Sequence, residues 1–225
     1  MELQLENYVC IANLSEQGRG VALYVSRNIN ATEDDRLCKI YKDSVWCSIS
    51  TESKEKILVG CIYRSPSNND DENSKLNTLL NEASNLSQGH HIIMGDFNYP
   101  EINWDTYASS SGEMHPASIF LESVKDCFYT QHVNEPTHHR GEQKANILDL
   151  VLTNEEQTIG NLTLYAPVGS SHHSLITFES NFKFSTDRQP KKIWLYEKGD
   201  YIGLQRHLTR MEWESIFSGM KVDEQ

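Results

Sequence analysis

The segment Gly95-Asp96-Phe97-Asn98 follows a short apolar run and places a carboxylate and a carboxamide two residues apart. At the end of a strand, two such side chains can point into one polar pocket from a rigid support. The carboxylate can accept a proton or coordinate a hard cation, and the amide can position a water or a phosphate. The alternative is an ordinary turn, because Asp and Asn are common where strands end.

Asp149 is a second candidate, since it is the lone carboxylate of the apolar segment 146–152. Ile147 and Val151 share its face of the predicted strand, which makes a solvent-facing position the weaker alternative. Burying an unpaired charge is costly, so the sequence predicts a partner for Asp149. A histidine ring or backbone amides are the natural candidates.

Two further segments offer groups for proton transfer or phosphate contact. Ser171-His172-His173-Ser174 is a turn of small residues and histidines that leads into an apolar strand, a good position for proton transfer. Tyr63-Arg64 ends another predicted strand, where a phenol and a guanidinium can hold a phosphate. Each segment also has an ordinary explanation, because polar strand ends are common and the doublets His90-His91 and His138-His139 occur elsewhere. No His pair has the i, i+4 spacing of a helical zinc motif.

Hydrophobic periodicity indicates which elements position these groups. Short strands with hairpin turns dominate the first two thirds of the chain, and helical spacing appears in three places. This mixture predicts an α/β sandwich rather than a doubly wound parallel sheet. The expected strands cover 8–12, 21–26, 45–50, 57–63, 91–94, 129–133, 147–152, 162–166 and 174–179, and the expected helices cover 72–86, 117–127 and 201–217.

Composition places limits on the class of protein. The 225 residues carry 32 acidic and 20 basic side chains, a net charge of −12 that disfavours loose electrostatic binding to nucleic acid. The chain lacks a signal peptide and any run of roughly 20 apolar residues, so we expect an intracellular protein without a membrane span. The five cysteines are scattered and odd in number, which predicts reduced thiols.

A shift to basic composition between residues 183 and 210 predicts a domain boundary. We expect one domain over 1–183, and over 184–225 a linker near 189–192 followed by a helix.

Taken in order, these segments resemble the endonuclease/exonuclease/phosphatase family of metal-dependent phosphodiesterases. They are most similar to the endonuclease domain of non-LTR (LINE-type) retrotransposons, and residues 192–201 resemble the segment that joins this domain to a reverse transcriptase. The matching pieces are residues 18–26, Val45-Trp46-Cys47, Ile62-Tyr63-Arg64-Ser65-Pro66, Gly95-Asp96-Phe97-Asn98, Leu148-Asp149-Leu150-Val151 and Ser171-His172-His173-Ser174.

The resemblance implies a fold and a reaction. The fold is a four-layer α/β sandwich, two packed β-sheets flanked by helices, here lacking its first strands. The reaction is in-line attack of water on a phosphodiester of DNA with a divalent cation, Mg²⁺ or Mn²⁺. Carried over by motif, Asp96 and Asn98 are the metal-side groups. Asp96 holds or activates the water, and Asn98 positions it and contacts the phosphate.

The remaining roles come from the same resemblance. His173 contacts the scissile phosphate and stabilises or protonates the transition state, while Asp149 fixes the tautomer of His173. Tyr63 hydrogen-bonds a phosphate oxygen, and Arg64 is a phosphate-binding residue beside it.

The sequence departs from the family pattern in two places. An upstream Asn motif and a metal-binding Glu are missing before residue 8, and His172 stands where the family has the Asp of a Ser-Asp-His triplet. A neutral imidazole in place of a carboxylate weakens Mg²⁺ binding. We therefore expect weak or lost activity. The alternative is a catalytically dead fragment that acts as a nucleic-acid or protein interaction module, with a tendency to self-associate through an unpaired sheet edge.

Overall fold

The computed structural model describes residues 5–14, 20–86, 89–139, 145–184 and 199–218. Contacts divide the chain into two compact units, Met1–Asp187 and Arg188–Gln225. The predicted linker near 189–192 and the predicted segment 192–196 lie outside the described residues, as do most of the first hairpin loop and Glu2.

The described residues contain twelve strands, five α-helices and one short 3₁₀ helix, Glu156–Thr158. The strands are β1 (Tyr8–Leu14), β2 (Gly20–Ser26), β3 (Ala31–Glu33), β4 (Ser44–Ser50), β5 (Lys56–Tyr63), β6 (His90–Asp96), β7 (Ile102–Asn103), β8 (Ala108–Ser109), β9 (Thr130–Gln131), β10 (Asp149–Thr153), β11 (Ile159–Tyr165) and β12 (Leu175–Ser180). The helices are α1 (Asp35–Cys38), α2 (Asp70–Leu86), α3 (Pro116–Asp126), α4 (Tyr201–Arg210) and α5 (Trp213–Phe217).

A six-stranded mixed sheet forms the centre of the first unit, in the order β3-β4-β5-β6-β10-β9. Only β5 and β6 run parallel, and α2 is the crossover helix between them, as a parallel pair requires. The other neighbours in this sheet are antiparallel. Since α2 returns the chain to the same end of the sheet, β5 and β6 finish side by side.

One face of the sheet is covered by helices. Leu76, Leu79, Leu80 and Ala83 of α2 are fully buried against this face, as the helical spacing predicts. Asn69 caps the helix: its Oδ1 accepts a hydrogen bond from the Glu72 amide, and the Glu72 carboxylate accepts one from the Asn69 amide. The same core includes fully buried Trp46, Phe97 and Phe120.

Two separate hairpins cover the opposite face, β1 with β2 and β11 with β12. Ile11, Val21, Val25 and Ile159 are buried there. The inward side chains of β11 and β12 are only partly buried against this core; they are Leu162, Leu164, Ile176 and Phe178. Within the described residues, neither hairpin pairs with a further strand.

The structure corrects three predicted elements. The strand predicted over 129–133 contains only Thr130–Gln131, because the ladder with β10 is limited to two residue pairs. The strand predicted over 147–152 instead covers Asp149–Thr153. The helix predicted over 201–217 is two helices, because Met211 is extended, with a ψ of 133°, and ends the first.

The five cysteines are free thiols, and burial raises the pKa of Cys47 and of Cys61 to about 11.

Candidate active site

Tyr63, Asp96 and Asp149 form a row across three neighbouring strands. In the strand register Tyr63 of β5 lies opposite Asp96 of β6, and Asp96 lies opposite Asp149 of β10. Alternation along each strand places all three side chains on the hairpin-covered face. The row therefore depends on strand pairing, although its members are far apart in sequence.

The backbone at Gly95 and Phe97 directs Asp96 and Asn98 into the same pocket. Gly95 has a φ of 142°, and a Cβ atom there would lie 1.9 Å from the Ile62 carbonyl oxygen, so only glycine fits. Phe97 is fully buried on the helix face, with its ring centroid 5.3 Å from that of Phe120. Because Phe97 is anchored on that side, its two polar neighbours face the pocket.

Asn98 adopts the left-handed conformation, with a φ of 52°, which is uncommon outside glycine and asparagine. Its Nδ2 donates to Asp96 Oδ2 at 2.7 Å and to the Arg64 carbonyl oxygen at 3.0 Å. The second carboxylate oxygen of Asp96, Oδ1, is buried and has no hydrogen-bond partner within the described residues. One side of the Asp96 carboxylate is therefore available to a ligand.

Asp149 is paired with His173. The Nδ1 atom of His173 lies 2.8 Å from Asp149 Oδ2, and both side chains are partly buried. This contact leaves the Nε2 atom of His173 free to face a substrate. The structure thus provides the histidine partner that the cost of burying Asp149 predicts.

Thr137 is a supporting residue that the sequence reasoning missed. It is fully buried, and its Oγ1 accepts hydrogen bonds from the Leu148 and Asp149 amides at 3.1 and 3.0 Å. Its carbonyl oxygen accepts one from the Ser174 amide at 2.7 Å. Thr137 therefore holds the start of β10 and the His173 turn together, and its loop position gave no sequence signal.

Arg64 does not lie where the sequence analysis expected it. Its side chain is buried behind the pocket, where Nε donates to Asn73 Oδ1 at 3.0 Å and Nη1 donates to the Asn98 carbonyl oxygen at 2.7 Å. The expected direct contact with phosphate is not supported by this placement. Tyr63, in contrast, is partly exposed in the row.

His172 is exposed, whereas His173 is partly buried. Its carbonyl oxygen accepts a hydrogen bond from the His139 amide, and its ring lies 6.3 Å from that of His138. The His138 ring also lies 4.8 Å from the His173 ring. The structure therefore brings the 138 and 172 positions to the rim of the site, whereas His90 and His91 begin β6 at its other end.

Burial raises the pKa of Asp96 from 3.8 to about 6, and the negative charge of Asp149 adds to this effect. The nearby His173 acts in the opposite direction. Such a shift marks a carboxylate that is desolvated beside a second carboxylate, an arrangement found at functional sites more often than elsewhere.

The cluster also fits a divalent cation. Ligand atoms of Asp96, Asp149 and His173 all lie within 4.8 Å of one another. The unpartnered Asp96 Oδ1 and the amide oxygen of Asn98 add oxygen donors of the type that Mg²⁺ and Mn²⁺ take. Among the described residues, Asp96 and Asn98 are the oxygen donors on the cation side of this cluster, because Asp149 Oδ2 and His173 Nδ1 are bonded to each other.

The fold and a family model place this chain in the endonuclease/exonuclease/phosphatase class. A family model described as endonuclease-reverse transcriptase matches residues 57–177, more than half of the chain and all of the row. The chain belongs to this endonuclease-reverse transcriptase family. A comparison with curated protein sequences gave no significant match.

Solved structures share the fold at low sequence identity. The endonuclease domain of TRAS1, a telomere-specific non-LTR retrotransposon, matches with a TM-score of 0.63 and 13% identity over 80% of this chain and 81% of that chain. The catalytic domain of APE2 from Xenopus laevis matches with a TM-score of 0.57 and 14% identity over 83% and 79%. An endonuclease/exonuclease/phosphatase family protein from Leptotrichia buccalis matches with a TM-score of 0.52 and 14% identity, over 79% of this chain and 73% of that chain.

In the described part of the chain, no helix has the length and apolar character needed to cross a membrane.

Proposed function

We propose that the first unit is a metal-dependent phosphodiesterase of the DNA endonuclease type, with low activity. The observation that carries this proposal is the row of Tyr63, Asp96 and Asp149, with His173 bonded to its last member. This arrangement brings two carboxylates, an amide and a carboxylate-bound imidazole together at the ends of neighbouring strands. It suits in-line attack of water on a phosphodiester.

Each side chain has a defined role in this proposal. Asp96 accepts the proton of the attacking water. Asn98 positions that water through its Oδ1, because its Nδ2 already donates to Asp96 and to the Arg64 carbonyl oxygen. Asp149 accepts a hydrogen bond from His173 Nδ1, which leaves Nε2 to contact the scissile phosphate and to protonate the leaving oxygen as its P–O bond breaks. The Tyr63 hydroxyl donates to another phosphate oxygen.

Mg²⁺ or Mn²⁺ is the proposed cofactor, with Asp96 and Asn98 as its main ligands. A bound divalent cation supplies charge stabilisation at the phosphoryl oxygens. The imidazole of His172 brings no carboxylate to the rim, where the family pattern has one. A site with one carboxylate fewer holds Mg²⁺ less tightly, which is our reason for proposing low activity.

A plasmid nicking assay tests the proposal. The purified chain is incubated with supercoiled DNA and either Mg²⁺ or Mn²⁺, and we expect slow nicking that Asp96→Ala and His173→Ala abolish. Glu122→Ala, on the exposed face of α3, is the matched control and should nick normally. Equal nicking by wild type and Asp96→Ala would refute the assignment.

Replacing His172 by Asp tests the reason for low activity. Restoring a carboxylate at the rim should raise the nicking rate in Mg²⁺ by about tenfold or more, with a smaller gain in Mn²⁺. An unchanged Mg²⁺ rate would mean that the 172 position does not limit metal binding.

A second candidate function is that of a catalytically dead module that binds nucleic acid or protein. The observation that favours it is the pair of separate two-stranded hairpins on one face of the sheet, whose edges pair with no further strand in the described part of the chain. We infer that this face represents the second sheet of a four-layer sandwich, and that its edges support self-association. Light scattering should show oligomers that Val9→Lys, on exposed β1, reduces. A monodisperse monomer over a wide concentration range would contradict this candidate.

We also infer that residues 1–183 form the endonuclease-like domain and 184–225 a linker and helices. The separation into two compact units supports this division. Limited proteolysis should cut first between the two units and leave a stable fragment of the first. Earlier cleavage inside the first unit would argue against it.

The free thiols are typical of a reducing compartment, so we infer an intracellular location. Recovery of a tagged full chain from the culture medium would contradict this inference.

A further inference from the structure

Arg64 is a buried cation that has no carboxylate partner among the described residues. Its residue is only 7% exposed, and within the described residues it forms no ion pair. The guanidinium carbon lies 3.9 Å from the centre of the Tyr99 ring, a contact that stabilises a desolvated cation. A charge kept in this environment must be held by well-placed neutral acceptors.

Asn73 is one of these acceptors. It lies in the first turns of α2 and is 4% exposed. Its Oδ1 accepts from Arg64 Nε at 3.0 Å and from the Tyr99 hydroxyl at 3.3 Å. Its Nδ2 donates to the Asn68 carbonyl oxygen at 3.3 Å. The helix thus fixes the plane of the guanidinium.

Asn98 provides the second acceptor, and its contact with Arg64 is reciprocal. Arg64 Nη1 donates to the Asn98 carbonyl oxygen at 2.7 Å, and Asn98 Nδ2 donates back to the Arg64 carbonyl oxygen at 3.0 Å. Together these bonds hold a residue in the left-handed region, where a non-glycine residue persists only when its surroundings fix it. The same Nδ2 reaches the Asp96 carboxylate.

We propose that Arg64 and Asn73 are positioning residues, which lock the Asn98 amide against Asp96 so that both face one substrate phosphate. This inference rests on the proposed endonuclease function. The planar fork of arginine is essential to it, because Nε and Nη1 serve two acceptors on different elements, and the point charge of a lysine cannot reproduce that geometry. Neither residue contacts the substrate.

Kinetics of plasmid nicking by the full chain in Mn²⁺ provide the first test. Asn73→Leu removes the acceptor for Arg64 and should lower kcat by about 10- to 100-fold, because a misplaced catalytic amide costs rate. The KM for DNA should change by about twofold or less, because no substrate contact is lost. Asn73→Asp keeps the acceptor oxygen and should recover most of the lost kcat.

Asn77→Leu is the matched control. Asn77 lies one turn further along α2, and its Oδ1 is buried without a hydrogen-bond partner in the described residues. This variant makes the same chemical change in the same helix, away from Arg64. It should leave kcat and KM unchanged, whereas a general response of α2 to lost polar groups would affect both variants equally.

NMR of the Asn98 side-chain amide gives a second readout that does not require activity. Its ¹H–¹⁵N signals are assigned by their loss in Asn98→Ser. In wild type they should lie outside the range of freely rotating Asn amides, because Nδ2 donates to two acceptors. Arg64→Lys and Asn73→Leu should move them toward that range while the rest of the spectrum stays folded, and Asn77→Leu should not.

The two readouts separate failure of this inference from failure of the proposed function. A wild type that does not nick refutes the endonuclease function, and the amide signals then decide the positioning alone. Unchanged Asn98 signals in folded Asn73→Leu overturn the positioning role, as does unchanged kcat in an active enzyme. A raised KM with normal kcat in Asn73→Leu would also overturn it, because that result would place the Arg64–Asn73 pair in substrate binding.

Discussion

The two layers packed on the central sheet differ in how completely their side chains are buried. In the helix layer, Leu79 of α2 and Phe120 of α3 are fully buried. In the hairpin layer, Ile176 and Phe178 of β12 are only partly buried, and the candidate active site lies at the end of that side of the sheet. We therefore expect the helix side to supply most of the folding free energy. The looser packing on the hairpin side leaves the polar row accessible.

The largest difference should come from removing one phenylalanine on each face. Phe120→Ala should lower the free energy of unfolding by about 3–5 kcal/mol, because it opens a cavity in a fully packed core. Phe178→Ala should cost about 1–2 kcal/mol, since part of its ring already contacts water. Urea unfolding measures both. Equal losses would show that the two faces are equally well packed.

Two glycines sharpen the comparison. A Cβ atom at Gly60 would lie 2.4–2.7 Å from the Trp46 ring, whereas at Gly160 of β11 it would meet only Asn181 atoms at 3.6–3.7 Å. Gly60→Ala should therefore cost about 1–3 kcal/mol through overpacking. Gly160→Ala should stay within about 0.5 kcal/mol of wild type. A tolerated Gly60→Ala would mean that Trp46 can move.

Asp96 tests the cost of the polar row. Its pKa is raised to about 6, so the folded state binds the proton more tightly than the unfolded chain, with its value near 3.8. Ionisation of Asp96 therefore opposes folding, with almost no effect below about pH 3 and full effect above about pH 7. Asp96→Asn should raise the free energy of unfolding by about 1–3 kcal/mol at high pH.

The control for this prediction is the same pair of proteins at about pH 3, where the difference should largely vanish because Asp96 is mostly protonated in both states. Thermal unfolding across this pH range, without divalent cations, measures it. A destabilised Asp96→Asn at high pH would show that the carboxylate is well solvated or paired.

The smallest expected effect is a gain of stability on the helix side. Phe128 follows α3 with a φ of 55° and is 83% exposed, at a position where glycine is usual. Phe128→Gly should stabilise the protein by about 0.5–1 kcal/mol, because it relieves the strained backbone and loses little burial. A loss of stability in urea would indicate that the exposed ring has a packing partner.

The sequence predicted elements whose signals are local. Both hairpins of the first 63 residues and α2 appear close to their predicted bounds, because turn residues and helical spacing lie within short windows. The 129–133 strand was shortened because its length depends on what β10 can pair with. The 201–217 helix was divided by Met211, an apolar residue that gives no signal for a break.

The site was predictable to a similar degree. A lone carboxylate in an apolar strand indicated a partner, and His173 provides one. The placement of Arg64 could not be read from the chain, because a strand end looks the same whether its last side chain turns outward or toward α2. Asn73 and Thr137 were missed since their partners lie on other elements, and only the folded chain brings them together.

The alignment of Tyr63, Asp96 and Asp149 across three strands has a consequence for folding fidelity. A shift of β10 by one residue along β6 would turn Asp149 toward the helices and bury its charge in the apolar core. Burying that charge would carry a large cost in folding free energy. The residues proposed for chemistry therefore also favour the correct register of the three strands. We expect insertions to be tolerated in the surrounding loops but not within β5, β6 and β10.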